Sequence, residues 1–315
     1  MEPSMRIEDS NTCVSSQGAP VGRTGKHAAA NRGQWASRMK ASLDDAWRVS
    51  KLLRHPVRHA RLGVLLSCPA MRAFSTSKTK LRLKYLVEYA SRSLSTRQRY
   101  QLLSAHYAFL QQHFQPRFLR AVSTASLRLW EQGAGDAETA LAIDLNFPET
   151  MQTEGDLCLT LKSGRRDVYR LIFSIARGAT FDVAAPHLML VTCVQGLQPS
   201  AELRNVAALC CDVHPSDLLM AALAGVASAT GIDTVIGITT DNQIANKGRI
   251  FFSYDDFFAK YGQHRAAIDA YEIALPYPQK PVADIAAKYR GRTRAKRSLR
   301  QGVGEAVGRA LAPYL

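Results

Sequence analysis

No stretch of this chain is apolar enough to span a bilayer. A spanning helix needs roughly 18 or more apolar residues in a row, and the longest candidate, "LLMAALAGVASAT" from Leu218, stops at 13. It reads instead as a buried core helix. The six cysteines, Cys13, Cys68, Cys158, Cys193, Cys210 and Cys211, form no C-x-x-C pair and show no regular spacing. That excludes a disulfide framework and a zinc ribbon, and makes buried reduced thiols the expected state. Also missing are the G-x-S-x-G elbow, the Walker loop, the H-E-x-x-H pair and the Rossmann glycine fingerprint, so hydrolase, NTPase and dehydrogenase readings lose their usual support. The amino terminus, "MEPSMRIEDSN", has no apolar core segment and three acidic residues. It does not resemble a secretory signal, and a cytoplasmic location is expected.

What is present is an ordinary globular composition: 46% apolar, 21% charged and 8% aromatic over 315 residues. That is enough for a sizeable core. The net charge of +15 is unevenly spread. Residues 1–130 carry +16, residues 131–280 carry −7 and residues 281–315 carry +6. Any electrostatic role therefore belongs to the flanks.

Residues 1–34 are rich in Ser, Gly, Ala, Asn and Arg and read as a disordered basic extension. Residues 35–130 read as helical, with Pro56, Pro69 and Pro116 separating the helices. The clearest begins at Ser95 or Thr96 and repeats Leu102/Leu103, His106/Tyr107, Leu110 and Phe114 at helical spacing. His106 lies on that stripe and reads as a core histidine bonded to a neighbour. Residues 131–315 switch to strand periodicity. Four strands, "TALAIDLNF", "DLCLTLKS", "DVYRLIFSIA" and "PHLMLVTCVQG", precede helices at "AELRNVAALC" and "PSDLLMAALAGVASATG". Then come strands at "DTVIGIT" and "RIFFS", a short helix "YDDFFAKYG", a strand "YEIAL" and a closing helix from Lys280. The expected class is α+β, with a helical N-terminal region and a mixed sheet flanked by helices. Residues 35–315 are expected to fold as one unit.

Chemistry-bearing positions are few. Gln195 and Gly196 follow the central strand, where backbone N–H groups can face an anion, although an ordinary strand-exit turn also explains one glycine. His214 sits before an apolar helix that Pro215 opens, with Asp217 in its first turn; the spacing with Cys210 and Cys211 fits no zinc pattern and no metal is expected. Asp241 and Asn242 lie in a polar loop after a strand, where they could orient a ligand or form an Asx turn. Tyr254 opens the short helix, and Asp255 and Asp256 beside it read as caps. In "YRGRTRAKRSLRQ", residues 289–301, six of thirteen positions are basic and none is acidic. Arg292, Arg294 and Arg297 are its candidate polyanion contacts. An anionic membrane surface fits them better than nucleic acid, and a solvated or internally neutralised helix face is the simpler reading.

With the elements placed, residues 81–300 resemble the VirK/YbjX family of bacterial proteins. The matching segments are "HYAFLQQHF", "DLCLTLKSGRRDVYRLIFSIA", "VTCVQG", "HPSDLLMAALAGVASATGIDTVIGIT", "SYDDFFAKYGQ" and "YEIALPYPQKPVADIAAKYRGRTRAKR". The family's Gly-Leu-Arg-Pro before the apolar helix is Val213-His214-Pro215 here, its tryptophan at the end of "YDDFF" is Phe258, and "DNQIAN" lacks its usual histidine. The resemblance implies a virulence or stress setting, including envelope maintenance and tolerance of cationic antimicrobial peptides, without a defined activity. The element order also looks like that of N-acyltransferases, whose loop after the central strand holds acyl-CoA phosphates through a Q/R-x-x-G-x-G/A run. Gln195-Gly196-Leu197-Gln198-Pro199 does not satisfy that run. Acyl-CoA is implied only under this second reading. A third reading, a nucleic-acid-binding stress protein, ranks last.

Overall fold

The computed structural model describes residues 50, 53–69, 71, 81–133, 140–148, 153–245 and 252–315. The extension read at 1–34, the first helix residues from 35 to 49 and most of the "RIFFS" strand lie outside them. Residues 52–315 cluster as one unit.

Helices come first: α1 Pro56–Leu66, a 3-10 turn at Leu81–Leu86, α2 Thr96–His113 and α3 Pro116–Thr124. Proline fits the first helical position because no intrahelical partner awaits its missing N–H, and both α1 and α3 begin on one. At α2 the cap is Ser95, whose hydroxyl accepts from Gln98 N–H while the Gln98 side chain accepts from Ser95 N–H. This reciprocal box satisfies two N–H groups that a helix start leaves open.

The sheet follows: β1 Leu127–Gln132, β2 Leu141–Asn146, β3 Leu157–Ser163, β4 Arg166–Arg177, β5 His187–Gly196, β6 Thr234–Ile238, β7 Gln263–Arg265 and β8 Ala270–Ala274. Between β5 and β6 lie α4 Ser200–Leu209 and α5 Pro215–Thr230; α6 Tyr254–Phe258 comes after β6, and α7 Ala287–Leu311 closes the chain. The strand order is β1-β2-β3-β4-β5-β6-β8-β7. Among the described residues only β5 and β6 pair in parallel. The fold is thus α+β, N-terminal helices followed by an eight-stranded mixed sheet with flanking helices.

Three details differ from the sequence reading. β1 lies where the helical pattern reads as ending, because "LRLWEQ" buries only Leu129 and gives no clean alternation. The three-residue β7 is too short to leave a pattern. The closing helix starts at Ala287, not Lys280, since Pro281 leads into a separate 3-10 turn at Val282–Asp284. It then continues to Leu311, burying Val303, Val307 and Leu311 at four-residue spacing. α5 ends as expected at Gly231, whose φ of 69° is the left-handed turn that glycine adopts without strain.

The docking of α6 onto the sheet turns on a second glycine. A Cβ on Gly237 of β6 would lie 2.5 Å from Cγ and Cδ1 of Phe258. The bare backbone lets the Phe258 ring lie on the strand and seats α6 there. Gly237→Val is expected to cost about 1–3 kcal/mol by overpacking, read as a lower urea midpoint. An unchanged midpoint would mean that α6 does not depend on this contact.

Candidate functional site

β5 and β6 do not stay together. Their pairing covers Met189–Val235, Leu190–Ile236 and Val191–Gly237, while β5 runs on to Gly196. Opposite β4, Ile172 pairs with Cys193 and Phe173 with Val191, which leaves Thr192 as an extra residue in β5. Such a bulge bends a strand and increases its local twist. Beyond it the Val194 N–H donates to the Tyr254 hydroxyl at 3.2 Å. A cavity of about 760 Å³ opens at this parting.

Its most deeply buried acid is Glu154, 3% exposed. The Thr192 hydroxyl donates to the Glu154 carbonyl, and Gln243 Nε2 donates to Glu154 Oε1 at 3.0 Å. Gln243 Oε1 in turn accepts from Ala245 N–H, which fixes the amide orientation. Glu154 Oε2 has no hydrogen-bond partner among the described residues. Cys193 and Tyr254 share the cavity wall. Burial, and then the Glu154 charge, pushes the Cys193 thiol well above its ordinary range. Burial likewise holds the Tyr254 phenol in its protonated form. Cys193 is therefore a poor nucleophile, and Tyr254 keeps a proton to donate.

The other wall is formed by the loop after β5 and by the starts of α4 and α5. Gln195, Gly196, Gln198 and Ser200 line it, with His214, Ser216 and Lys260. Pro199 caps α4 and offers no side-chain hydrogen bond. His214 caps α5 with its ring: Nδ1 accepts from Ser216 N–H at 3.3 Å and lies 2.7 Å from the Ser216 hydroxyl. Burial lowers the His214 pKa, consistent with a neutral ring accepting at Nδ1.

The structure brings Gln195, Gly196, His214 and Tyr254 to one cavity. Asp241 and Asn242 are not among its lining residues. Asp241 is exposed in its turn, and Asn242 Nδ2 donates to Thr239 Oγ1 and Asp269 Oδ2, closing the loop on itself. The side chain that reaches the cavity is the next one, Gln243. Glu154 is hidden in the sequence because it stands in a turn before β3 with no chemistry-bearing neighbour in a recognisable pattern, and tertiary structure carries it to β5.

The basic run of α7 is partly engaged. Arg292 Nη2 lies 2.9 Å from Asp212 Oδ2, Arg297 donates to the Lys280 carbonyl, and Arg294 remains exposed. Exposed pairs of this kind contribute little to stability. Reversing the charge at all three arginines is expected to leave flotation with anionic liposomes unchanged; lost flotation would make them lipid contacts. No helix among the described residues is long and apolar enough to cross a membrane.

A second polar cluster lies beside Glu154 in sequence. Asp156, fully buried, accepts from Lys84 Nζ at 2.7 Å, Tyr107 at 3.1 Å and Ser174 at 2.7 Å, and also from the Tyr89 hydroxyl. Lys84 donates as well to the Gly155 carbonyl at 2.6 Å. His106 sits nearby as a core histidine, its Nδ1 accepting from Ile175 N–H at 3.0 Å. Burial lowers its pKa from 6.5 to about 4. The unfolded chain takes up this proton first, so the stability is full above pH 6.5 and falls as pH drops toward 4. Between pH 7.5 and 5 the expected loss is about 2 kcal/mol, measured by urea unfolding. A His106→Gln variant is expected to lose most of that pH dependence, the remainder coming from His214, His187 and His59, which burial lowers in the same direction.

A family model described as "Protein of unknown function (DUF535)" matches residues 49–306. The Escherichia coli K12 protein described as "Uncharacterized protein YbjX" is 21% identical over 240 residues, which cover 72% of this chain and 71% of that one. No solved structure matches the chain. The model match spans most of the sequence, so the chain belongs to the DUF535 family, the group of VirK/YbjX-like proteins.

Proposed function

We propose that the protein is an acyltransferase that takes its acyl group from a coenzyme-A-type thioester held where β5 and β6 part. The observation that carries this reading is the parallel pair of β5 and β6, single among the described strands, opening beyond Val191 and Gly237 onto a cavity. The order of meander, central strand, two helices, strand, short helix and final hairpin resembles that of N-acyltransferases, and this likeness supports the reading by analogy alone. An opened strand offers its backbone to an extended ligand, as a sheet edge does. Here the Val194 N–H already donates to the Tyr254 hydroxyl, so the proton of that hydroxyl is the group left to face a donor's amide or carbonyl oxygen.

The donor's phosphates have a partner at the start of α4. The first N–H groups of a helix lack intrahelical partners and favour anions, and Pro199 supplies no side chain to cap them. Gln195 and Gly196 follow the central strand, as the phosphate loop of N-acyltransferases does, although the sequence here departs from that loop. Tyr254 would return a proton to the departing thiolate. Envelope maintenance and stress tolerance, at the cytoplasmic face, are the setting we attach to this activity through the family resemblance.

The test is free-thiol release from a panel of acyl-CoA thioesters mixed with amine and alcohol acceptors. Acceptor-dependent release that Tyr254→Phe slows is the expected result. An absence of both release and acyl-CoA binding across the panel would overturn the proposal.

A further inference from the structure

We infer that Glu154 is the binding site for the acceptor's nitrogen, and that the acceptor is a primary alkylamine. The assignment of a reaction to this site rests on the acyl-transfer reading; the amine site itself does not. A buried carboxylate with an unpaired oxygen is costly unless something donates to it. The groups around Glu154 are otherwise committed: Thr192 holds its carbonyl, Gln243 holds Oε1, and Ala245 holds Gln243 in place. Oε2 is left without a partner, on a residue that lines the cavity. The Cys193 thiol is within hydrogen-bonding reach of this carboxylate, but a thiol is a weak donor and leaves the site open to a stronger one.

The chemistry that satisfies Oε2 is a hydrogen-bond donor, and a cationic one satisfies it best because charge-assisted bonds are the stronger class. No Lys or Arg forms an ion pair with Glu154 among the described residues, in contrast to neighbouring Asp156, which has Lys84. Phe252 and Phe257 also line the cavity. Their rings suit an apolar stem behind the ammonium, and an aromatic face attracts the cation itself.

In the reaction the ammonium gives a proton to Glu154, and the free amine attacks the thioester carbonyl. The C–N bond forms and the C–S bond breaks. The thiolate leaves with the Tyr254 proton, and the second proton on nitrogen, lost as the amide forms, restores the phenol by way of solvent. Glu154 returns its proton to solvent, so the sum is amide, thiol and one released proton.

Butylamine is the probe, with 1-butanol as its neutral counterpart, each titrated by calorimetry into the full-length protein at pH 7.5. The wild-type protein is expected to bind butylamine at least tenfold more tightly than 1-butanol. Glu154→Gln is expected to erase that difference while leaving coenzyme A binding unchanged. Equal affinity for the two probes in the wild type overturns the inference, and that comparison needs no variant. Butylamine affinity unaffected by Glu154→Gln also overturns it. Butylamine binding without any coenzyme A binding would remove the acyl-transfer reading and leave the amine site standing.

Discussion

Asp156→Ala is expected to lower the unfolding free energy by about 3–5 kcal/mol, the range for breaking a buried ion pair by removing one partner. The reason is the company that Asp156 keeps. Lys84 is 6% exposed, and without the carboxylate its ammonium retains the Gly155 carbonyl and the faces of the Tyr89 and Phe147 rings but no counter-charge. The hydroxyls of Tyr89, Tyr107 and Ser174 lose the acceptor they share as well. These donors come from the 3-10 turn, the segment after it, α2 and β4, so the cluster ties the N-terminal helices to the sheet. Removing the charge from both partners, Asp156→Ala with Lys84→Met, is expected to recover much of the loss, because no unpaired ammonium then remains. A single variant less than about 1 kcal/mol below the wild type would show that water reaches Lys84.

The same cluster sets an acid limit. Burial alone would raise the Asp156 pKa, but the Lys84 charge, His106 and the donated hydrogen bonds outweigh it and hold the group at about 2. The folded value lies below the ordinary 3.8. This contribution is therefore complete above pH 3.8 and disappears as pH falls toward 2, beneath the window in which His106 acts.

Glu154→Gln is expected to slow amide formation by roughly 10²–10⁴-fold, the usual contribution of a positioned general base. Glutamine has nearly the same shape and can face Gln243, so the fold should survive. It cannot accept the amine's proton. The loss should appear in kcat as well as in KM, because the missing group both binds the ammonium and removes its proton. Replacing the amine substrate with its ammonium-free alcohol analogue should remove the KM part of the difference between the wild type and the variant, while a kcat difference remains because an alcohol also needs a base. A variant retaining more than about a tenth of wild-type turnover would place the base elsewhere.

The sequence disclosed the architecture better than the site, for physical reasons. Helix ends are local events: the Ser95 and Gln98 box, Pro116, and Pro215 with Gly231 all act within a few residues, and each is legible there. Strands buried on both faces, such as β5, declare themselves by unbroken apolar runs. β1 does not, because five of its six residues are partly or fully exposed. At the site, Gln195, Gly196, His214 and Tyr254 can be found since strand ends and helix starts are where sheets present chemistry. The same rule points to Asp241 and Asn242, yet the loop turns so that Gln243 faces inward and Asn242 binds Asp269. Glu154 lies 39 residues before Cys193 and meets it through a bulge at Thr192. No local pattern encodes that meeting.

The central claim is that the gap between β5 and β6 receives the acyl donor. A crystal structure with a non-hydrolysable thioether analogue of an acyl-CoA tests it most directly. The expected result is an acyl-bearing end beside Val194 and Tyr254, with phosphates at the start of α4. Ligand density confined to another surface, such as the groove between α5 and α7 lined by Gly225, Arg300 and Gly304, with the gap itself left empty, would contradict the account.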